Sequence, residues 1–386
     1  MKRKIRMGMV GGGPDAFIGA VHRRAAALDG LIELVCGAFS SDPDRSRRAG
    51  RSLFLPQERC YGDYRQMMES EAALPQGERM DFVSIVTPNF LHFPVAQASL
   101  EAGFAVMCDK PLTSSLEDAE RLAQMVEESG QLFGLTHNYT GYPMVKEASR
   151  LARGGEIGKL RKVVVEYPQG WLSDPIDQEG QKQADWRTDP ERAGPSGCMG
   201  DIGTHAENLA EYVTGLEIEE LCADLSAMVP GRALDDDGNL LLRFKGGARG
   251  VLYASQISSG EENALRLRVY GEQGGLDWCQ EEPNTLVIKR QGKPRQVLRA
   301  GADYEHLGPA ARFNCRLPSG HPEGFLEAFA NLYRCFALTL SSRLEGRQAQ
   351  AEHLDFPGIQ DGLRGMRFID AVVRSSRSDR KWTPLT

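Results

Sequence analysis

Short apolar runs alternate with longer amphipathic stretches through the first part of the chain. The runs at 5–10, 31–39, 80–86, 105–107 and 132–136 have the length and continuity of strands buried in a parallel sheet. Between them, 20–28, 63–69, 93–102 and 116–128 carry helical spacing. In the last of these Leu116, Ala119, Leu122, Ala123 and Val126 share one face. Gly103 and Gly130 stand where those two helices should stop. Strand and helix in strict alternation predict an N-terminal α/β domain, a Rossmann-type doubly wound parallel sheet over residues 1–141.

After Gly141 the pattern changes. A helix is expected at 143–153, and a run of strands starts at 163–165. Residues 171–195 are polar and turn-rich, and a helix follows at 203–213. Further strands are expected near 221–229, 239–244, 250–256, 265–270, 275–279 and 286–289. Leu265, Leu267 and Val269 alternate with Arg266, Arg268 and Tyr270, as in a sheet with one wet face. Two helices close the chain, at 325–336 and 359–373. The first has Phe325, Leu326, Phe329, Leu332, Tyr333 and Phe336 on one stripe. Residues 142–386 therefore read as a C-terminal α+β domain with a large open, mostly antiparallel sheet. Such a sheet is expected to leave an apolar face exposed, and exposed apolar faces mark interfaces, so a homodimer or homotetramer is expected.

Composition narrows the partners. With 386 residues, 41% hydrophobic and 26% charged, the chain reads as an ordinary soluble protein of two domains. A net charge of -7 offers no basic face to nucleic acid or to an anionic membrane. No run is long enough to span a bilayer, and no apolar signal core precedes the first strand. The eight cysteines are scattered, with no CxxC pair, which points to a reducing cytoplasm and away from a structural metal.

The chemistry collects at the ends of the first-domain strands. Gly11-Gly12-Gly13 follows the first strand and precedes a helix, the arrangement that cradles a dinucleotide pyrophosphate. In the G-x-G-x-x-G spacing Ala16 takes the third glycine's place and the next glycine is Gly19, so 14–17 reads as part of a short insertion. Phe17 and Ile18 precede the helix expected at 20–28, whose first N–H groups would face the phosphates, and are expected cofactor contacts. At the tip of the second strand, where a carboxylate would meet the adenosine ribose, stand Ser40 and Ser41, followed by Arg45 and Arg47. Asp42 precedes Pro43 and reads as a helix cap. That set favours acceptance of NADP at least as well as NAD. The strand at 105–107 ends in Cys108-Asp109-Lys110-Pro111. Lys110 then projects from a strand tip into the crevice where open α/β sheets bind ligands, or else is a surface loop lysine.

Seven motifs taken together resemble the Gfo/Idh/MocA family, that is glucose–fructose oxidoreductase, inositol dehydrogenase and their relatives. They are GMVGGG (8–13), TPNFLH (87–92), CDKP (108–111), HNY (137–139), GEIGKL (155–160), DWR (185–187) and GDIGTH (200–205). The usual EKP is DKP here. The resemblance implies catalytic roles for Lys110, Asp201 and His205. It implies cofactor contacts for Thr87, Pro88, Asn89, His92, Asp109 and Asn138, and a substrate pocket walled by Tyr139, Trp186 and Arg187. It also implies hydride transfer between nicotinamide, as NAD or NADP, and a secondary alcohol or ketone of a sugar, glycoside or inositol, with no metal.

The residue types suit that reaction. A hydride leaves one carbon and the hydroxyl proton goes to a base. Histidine suits the proton, and a lysine ammonium stabilises charge developing on the oxygen. Asp201 and His205 are four residues apart, hence on one helical face. Asp201 also fits a helix N-cap, and His205 a packed histidine. Trp171 and Trp186 suit stacking on a sugar ring or simple core filling. His321, in a Gly-His-Pro loop, stays outside the set. The competing reading is a non-catalytic NAD(P)-binding sugar sensor of the same fold. Retention of lysine, aspartate and histidine together favours the enzyme.

Overall fold

The computed structural model describes residues 2–13, 16–177, 179 and 181–386. Pro14 and Asp15, from the expected insertion, lie outside the described residues. The chain divides into two units, Met1–Asn138 with Phe325–Leu363, and Tyr139–Gly324 with Arg364–Thr386.

Five parallel strands form the first unit's sheet: β1 (Ile5–Gly11), β2 (Ile32–Ala38), β3 (Phe82–Val86), β4 (Ala105–Cys108) and β5 (Phe133–Leu135), in the order β2-β1-β3-β4-β5. β3 and β4 are buried at every residue, which is why they read as unbroken apolar runs. The helices are α1 (Phe17–Leu28), α2 (Pro43–Ser52), α3 (Tyr64–Ala73), α4 (His92–Glu101) and α5 (Leu116–Ser129). Local chemistry sets their ends. Ser115 caps α5 by accepting from the Asp118 N–H, and Gly130 stops it at a φ of 63°. The strand order reverses between β1 and β3, so the ligand crevice of this sheet lies beyond the carboxyl ends of those strands.

The helix Phe325–Leu344 corrects the expected contiguous division. Its apolar stripe packs into the first unit, where Phe329, Tyr333, Phe336 and Leu340 share a core with Ile5, Met7, Met9, Val21 and Phe82. The stripe shows that this helix is buried on one side. It holds no information about which sheet receives it.

In the second unit nine strands run β6 (Leu160–Pro168), β7 (Ile218–Ser226), β8 (Asp237–Phe244), β9 (Arg249–Ser255), β10 (Arg266–Gly271), β11 (Gly274–Cys279), β12 (Thr285–Arg290), β13 (Gln296–Arg299) and β14 (Thr383–Pro384). Their order is β13-β12-β11-β10-β6-β9-β8-β7-β14, antiparallel apart from the central β6–β9 pair. The helices Pro143–Arg153 and Thr204–Thr214 cover one face, over Val163, Val165, Leu267 and Val269. The other face is less apolar than expected. Leu241 and Val297 are 48% and 57% exposed, but ion pairs Arg266–Asp277, Lys289–Asp277 and Arg268–Glu166 cross the strands beside them. Among the described residues no helix is long and apolar enough to cross a membrane.

Candidate active site

Backbone alone shapes the glycine turn after β1. Gly11 and Gly12 hold φ angles of 85° and 67°, which side-chain-bearing residues rarely adopt. A Cβ on Gly11 would lie 2.6 Å from the Val86 carbonyl oxygen, and one on Gly19 only 2.3 Å from the Gly12 Cα. The turn is thus pressed onto the start of α1 with no room for side chains. Ala16 at the head of α1 makes no side-chain cap, and no acidic residue stands in its first turn, so its N–H groups suit an anion. Ile18 packs against the core, and Phe17 is 71% exposed. Sequence reading missed Arg23. Its Nη1 donates to the Gly12 carbonyl at 2.6 Å, fixing the turn from beneath and placing a cation beside it.

At the tip of β2, Asp42 is the cap that its place before Pro43 indicated, accepting from the Asp44 and Arg45 N–H groups at 2.9 Å each. Those bonds, the Arg45 one first, hold its carboxyl below the ordinary range. Ser40 accepts from the Asp42 N–H at 3.2 Å. Arg47 reaches Asp44 at the surface, and Arg45 is half-buried on the first turn of α2.

Between the tips of β4 and β5, Asp109 Oδ1 accepts from the Lys110 N–H at 2.9 Å and from the Thr136 hydroxyl at 2.7 Å. Thr136 is a second residue the sequence did not flag. The Lys110–Pro111 peptide is cis. Asn89 is buried at the start of a short turn after Pro88. Thr87 Oγ1 and Asn138 Nδ2 are buried with no hydrogen-bond partner among the described residues. Unmet polar atoms, a cradle without side chains and an uncapped helix start together fit a nicotinamide dinucleotide. His92 is the correction here. Expected against the cofactor, it is 1% exposed and sits behind the strand tips, its two ring nitrogens 2.7 and 3.0 Å from the Pro111 and Thr87 carbonyl oxygens.

His22, His92 and His137 are all buried in this unit, and burial pushes each ring below the usual histidine range, His137 to about 3. Lys110 adds to the shift at His137. With each ring lowered in the fold while the unfolded chain protonates near pH 6.5, their contribution is full above that pH and lost as pH falls, for His137 down to about 3. For His137 alone the loss is on the order of 4 kcal/mol. The expected result is a urea midpoint level from pH 8 to 7 and falling steadily below about 6.5. Equal midpoints at pH 7.5 and 5 contradict it.

In the second unit a π-helical turn, Met199–Gly203, runs straight into the helix Thr204–Thr214. Such turns are rare and frequent at functional sites. Asp235 anchors its start, accepting from the Ser196 hydroxyl and the Gly197 and Met199 N–H groups at 2.8–2.9 Å. Asp201 lies within the turn, and the residues preceding the turn and the helix are Cys198 and Gly203. Asp201 accepts from Gln256 Nε2 at 2.8 Å and lies 3.3 Å from Arg187 Nε. The Arg187 guanidinium stands 4.3 Å from the Trp186 ring and 6.0 Å from that of Trp171. Both tryptophans are partly exposed, so they flank this polar group instead of filling core.

His205 is 7% exposed, and its ring meets Tyr139 edge-on at 4.8 Å. Tyr139 was expected to wall the pocket. It is buried instead, its hydroxyl bonded to those of Tyr167 and the Asn263 amide, and burial raises its pKa. Asn263 Oδ1 also accepts from Tyr167 and Gln169, and Gln169 accepts from Trp171. The amides Gln169, Gln256 and Asn263 escaped sequence reading because single amides follow no period. His321 is exposed and bonds within its own loop.

The chain matches two family patterns, the oxidoreductase family with NAD-binding Rossmann fold over residues 5–137 and the GFO/IDH/MocA C-terminal domain over 145–277. An oxidoreductase from Sinorhizobium meliloti is 45% identical over 99% of both chains, with a TM-score of 0.89. An inositol dehydrogenase homologue from Azotobacter vinelandii, solved with NAD+, is 36% identical over 100% of this chain and 98% of its own, with a TM-score of 0.94. A complex of that homologue with NADH and myo-inositol gives 0.91. The uncharacterised oxidoreductase YfiI of Bacillus subtilis is 32% identical over 99% of this chain and 97% of its own length.

Proposed function

Because the chain belongs to the Gfo/Idh/MocA family of NAD-binding oxidoreductases, we propose that it oxidises a secondary alcohol of a cyclic polyol or sugar, of the inositol class. The observation that carries the substrate class is Asp201 joined to Arg187 and Gln256, with the Arg187 guanidinium 4.3 Å from the Trp186 ring and 6.0 Å from that of Trp171. An acceptor and two donors match hydroxyls, which both donate and accept, and the indole faces match the C–H face of a ring. The 36% identical homologue that binds myo-inositol supports the same class.

When bound, the nicotinamide accepts the hydride. Lys110 donates a hydrogen bond to the alcohol oxygen and stabilises the charge that builds there. His205 takes the hydroxyl proton. Tyr139, fixed by Tyr167 and Asn263, holds the imidazole in place, and Asp201 with Arg187 orients the polyol. The test is reduction of NAD by a panel of cyclic polyols and sugars. Tight NADH binding with no turnover of any of them would favour the sensor.

The reading extends to cofactor choice. Asp42 is committed to capping α2, which leaves Ser40 and Arg45 at the ribose position and lets NADP be accepted alongside NAD. Ser40→Asp is expected to lower kcat/KM for NADP relative to NAD by about tenfold. A wild type that uses NAD alone, with the ratio unmoved in the variant, rules this out. All eight cysteines are free, which supports a cytoplasmic setting. The exposed Leu241 and Val297 on the open sheet face support a homodimer or homotetramer, and sedimentation showing monomer at micromolar concentration counts against it.

A further inference from the structure

We infer that His92 is a positioning residue for Lys110, tying the backbone that carries the lysine to the start of α4. The inference rests on the proposed role of Lys110 and adds what fixes it in place. His92 opens α4 and is 1% exposed. Its Nδ1 lies 2.7 Å from the Pro111 carbonyl oxygen, and its Nε2 lies 3.0 Å from that of Thr87. Pro111 follows Lys110 at the end of β4, and Thr87 follows β3, the strand paired with it.

Both partners are carbonyl oxygens, which only accept. Each ring nitrogen therefore holds its strand tip only when it carries hydrogen. A neutral ring has one N–H, and the shorter contact assigns it to Pro111. A second proton completes the bond to Thr87. Asp109 and the two carbonyls favour that proton, while burial, Lys110 and the neighbouring His22 oppose it. Near neutrality the standing bond is thus the one to Pro111. Lys110 is then held from both directions along the chain. Its own N–H is bonded to the Asp109 carboxylate, and the carbonyl of the next residue is bonded to His92. Removing His92 strands a buried carbonyl beside the lysine, and the tip shifts to find another donor. Displacements of this kind, far from the reacting bond, slow catalysis more than they weaken binding.

The test uses His92→Phe, which keeps a ring and no donor, His92→Gln, whose amide reaches the Nε2 position and leaves that of Nδ1 without a donor, and His92→Asn, whose amide sets an N–H donor where Nδ1 stands. Lysines of the apo protein are labelled by reductive methylation with 13C-formaldehyde, and the Lys110 signal is assigned with Lys110→Arg. In wild type the Lys110 signal is expected apart from those of exposed lysines. It should merge with them in His92→Phe and His92→Gln and stay apart in His92→Asn. With a turned-over polyol, kcat should fall about tenfold or more in the first two variants, with NADH affinity within about threefold of wild type and most of the loss recovered in His92→Asn. An unmoved Lys110 signal in whichever of the first two variants folds overturns the inference. So does a loss of NADH affinity as large as the loss of kcat. If wild type turns over no polyol, the proposed function fails, and the labelling experiment on apo protein still decides the role of His92.

Discussion

Lys110→Met is expected to fold and bind NADH within a few-fold of wild type, and to turn over at least about a hundredfold more slowly. The backbone supports the first half of that result. Lys110 is anchored through its N–H to Asp109 and through the following carbonyl to His92, and neither bond involves the ammonium. Methionine matches the length and flexibility of the lysine arm at this half-buried position. What disappears is the charge, which acts on the alcohol oxygen only as the proton and hydride leave. An interaction made in the transition state lowers kcat and kcat/KM together, and that pattern separates it from lost binding. A side effect is expected at His137, whose low pKa owes part of its shift to Lys110. Turnover near the wild-type rate in Lys110→Met removes the lysine from the reaction.

Gly19→Ala is expected to weaken NAD(H) binding by about a hundredfold while the sheet beneath stays folded. The added Cβ would sit 2.3 Å from Gly12 Cα and 2.8 Å from Gly12 O, both backbone atoms with no rotamer to yield. Gly12 is itself held, at a φ of 67° and by Arg23 on its carbonyl, so the turn and α1 have to separate. Separation moves the N–H groups that meet the pyrophosphate. Fluorescence titration with NADH reads the effect. Binding at wild-type strength would show that the turn does not hold the cofactor.

Much of this was legible in the chain because it follows from local rules. Parallel strands buried on both faces read as apolar runs, as β3 and β4 do. Asp42 before Pro43 read as a cap and is one. The glycines at 11 and 12 are where the backbone needs positive φ. What escaped depends on partners distant in sequence. Phe325–Leu344 has a clear stripe, yet a stripe names no sheet. The family resemblance made Tyr139 a pocket wall, whereas Tyr167 and Asn263, remote in sequence, draw its hydroxyl inward. Asp201 looked equally like a cap, and only the π-turn, with Gln256 and Arg187 on its carboxylate, decides against that. His92 sits in a motif, and the motif does not say that both of its nitrogens meet carbonyls.

The central claim is hydride transfer from a polyol carbon to nicotinamide. Its most direct test incubates the wild-type protein with NAD and a panel of cyclic polyols and sugars, myo-inositol among them, each also supplied with deuterium on the carbinol carbons. Absorbance in the reduced-nicotinamide band and mass analysis of the dinucleotide follow the transfer. The account predicts that at least one cyclic polyol reduces NAD, that its deuterium appears on the nicotinamide, and that Lys110→Met abolishes the signal. NAD bound tightly, with no deuterium transferred from any member of the panel, would contradict it.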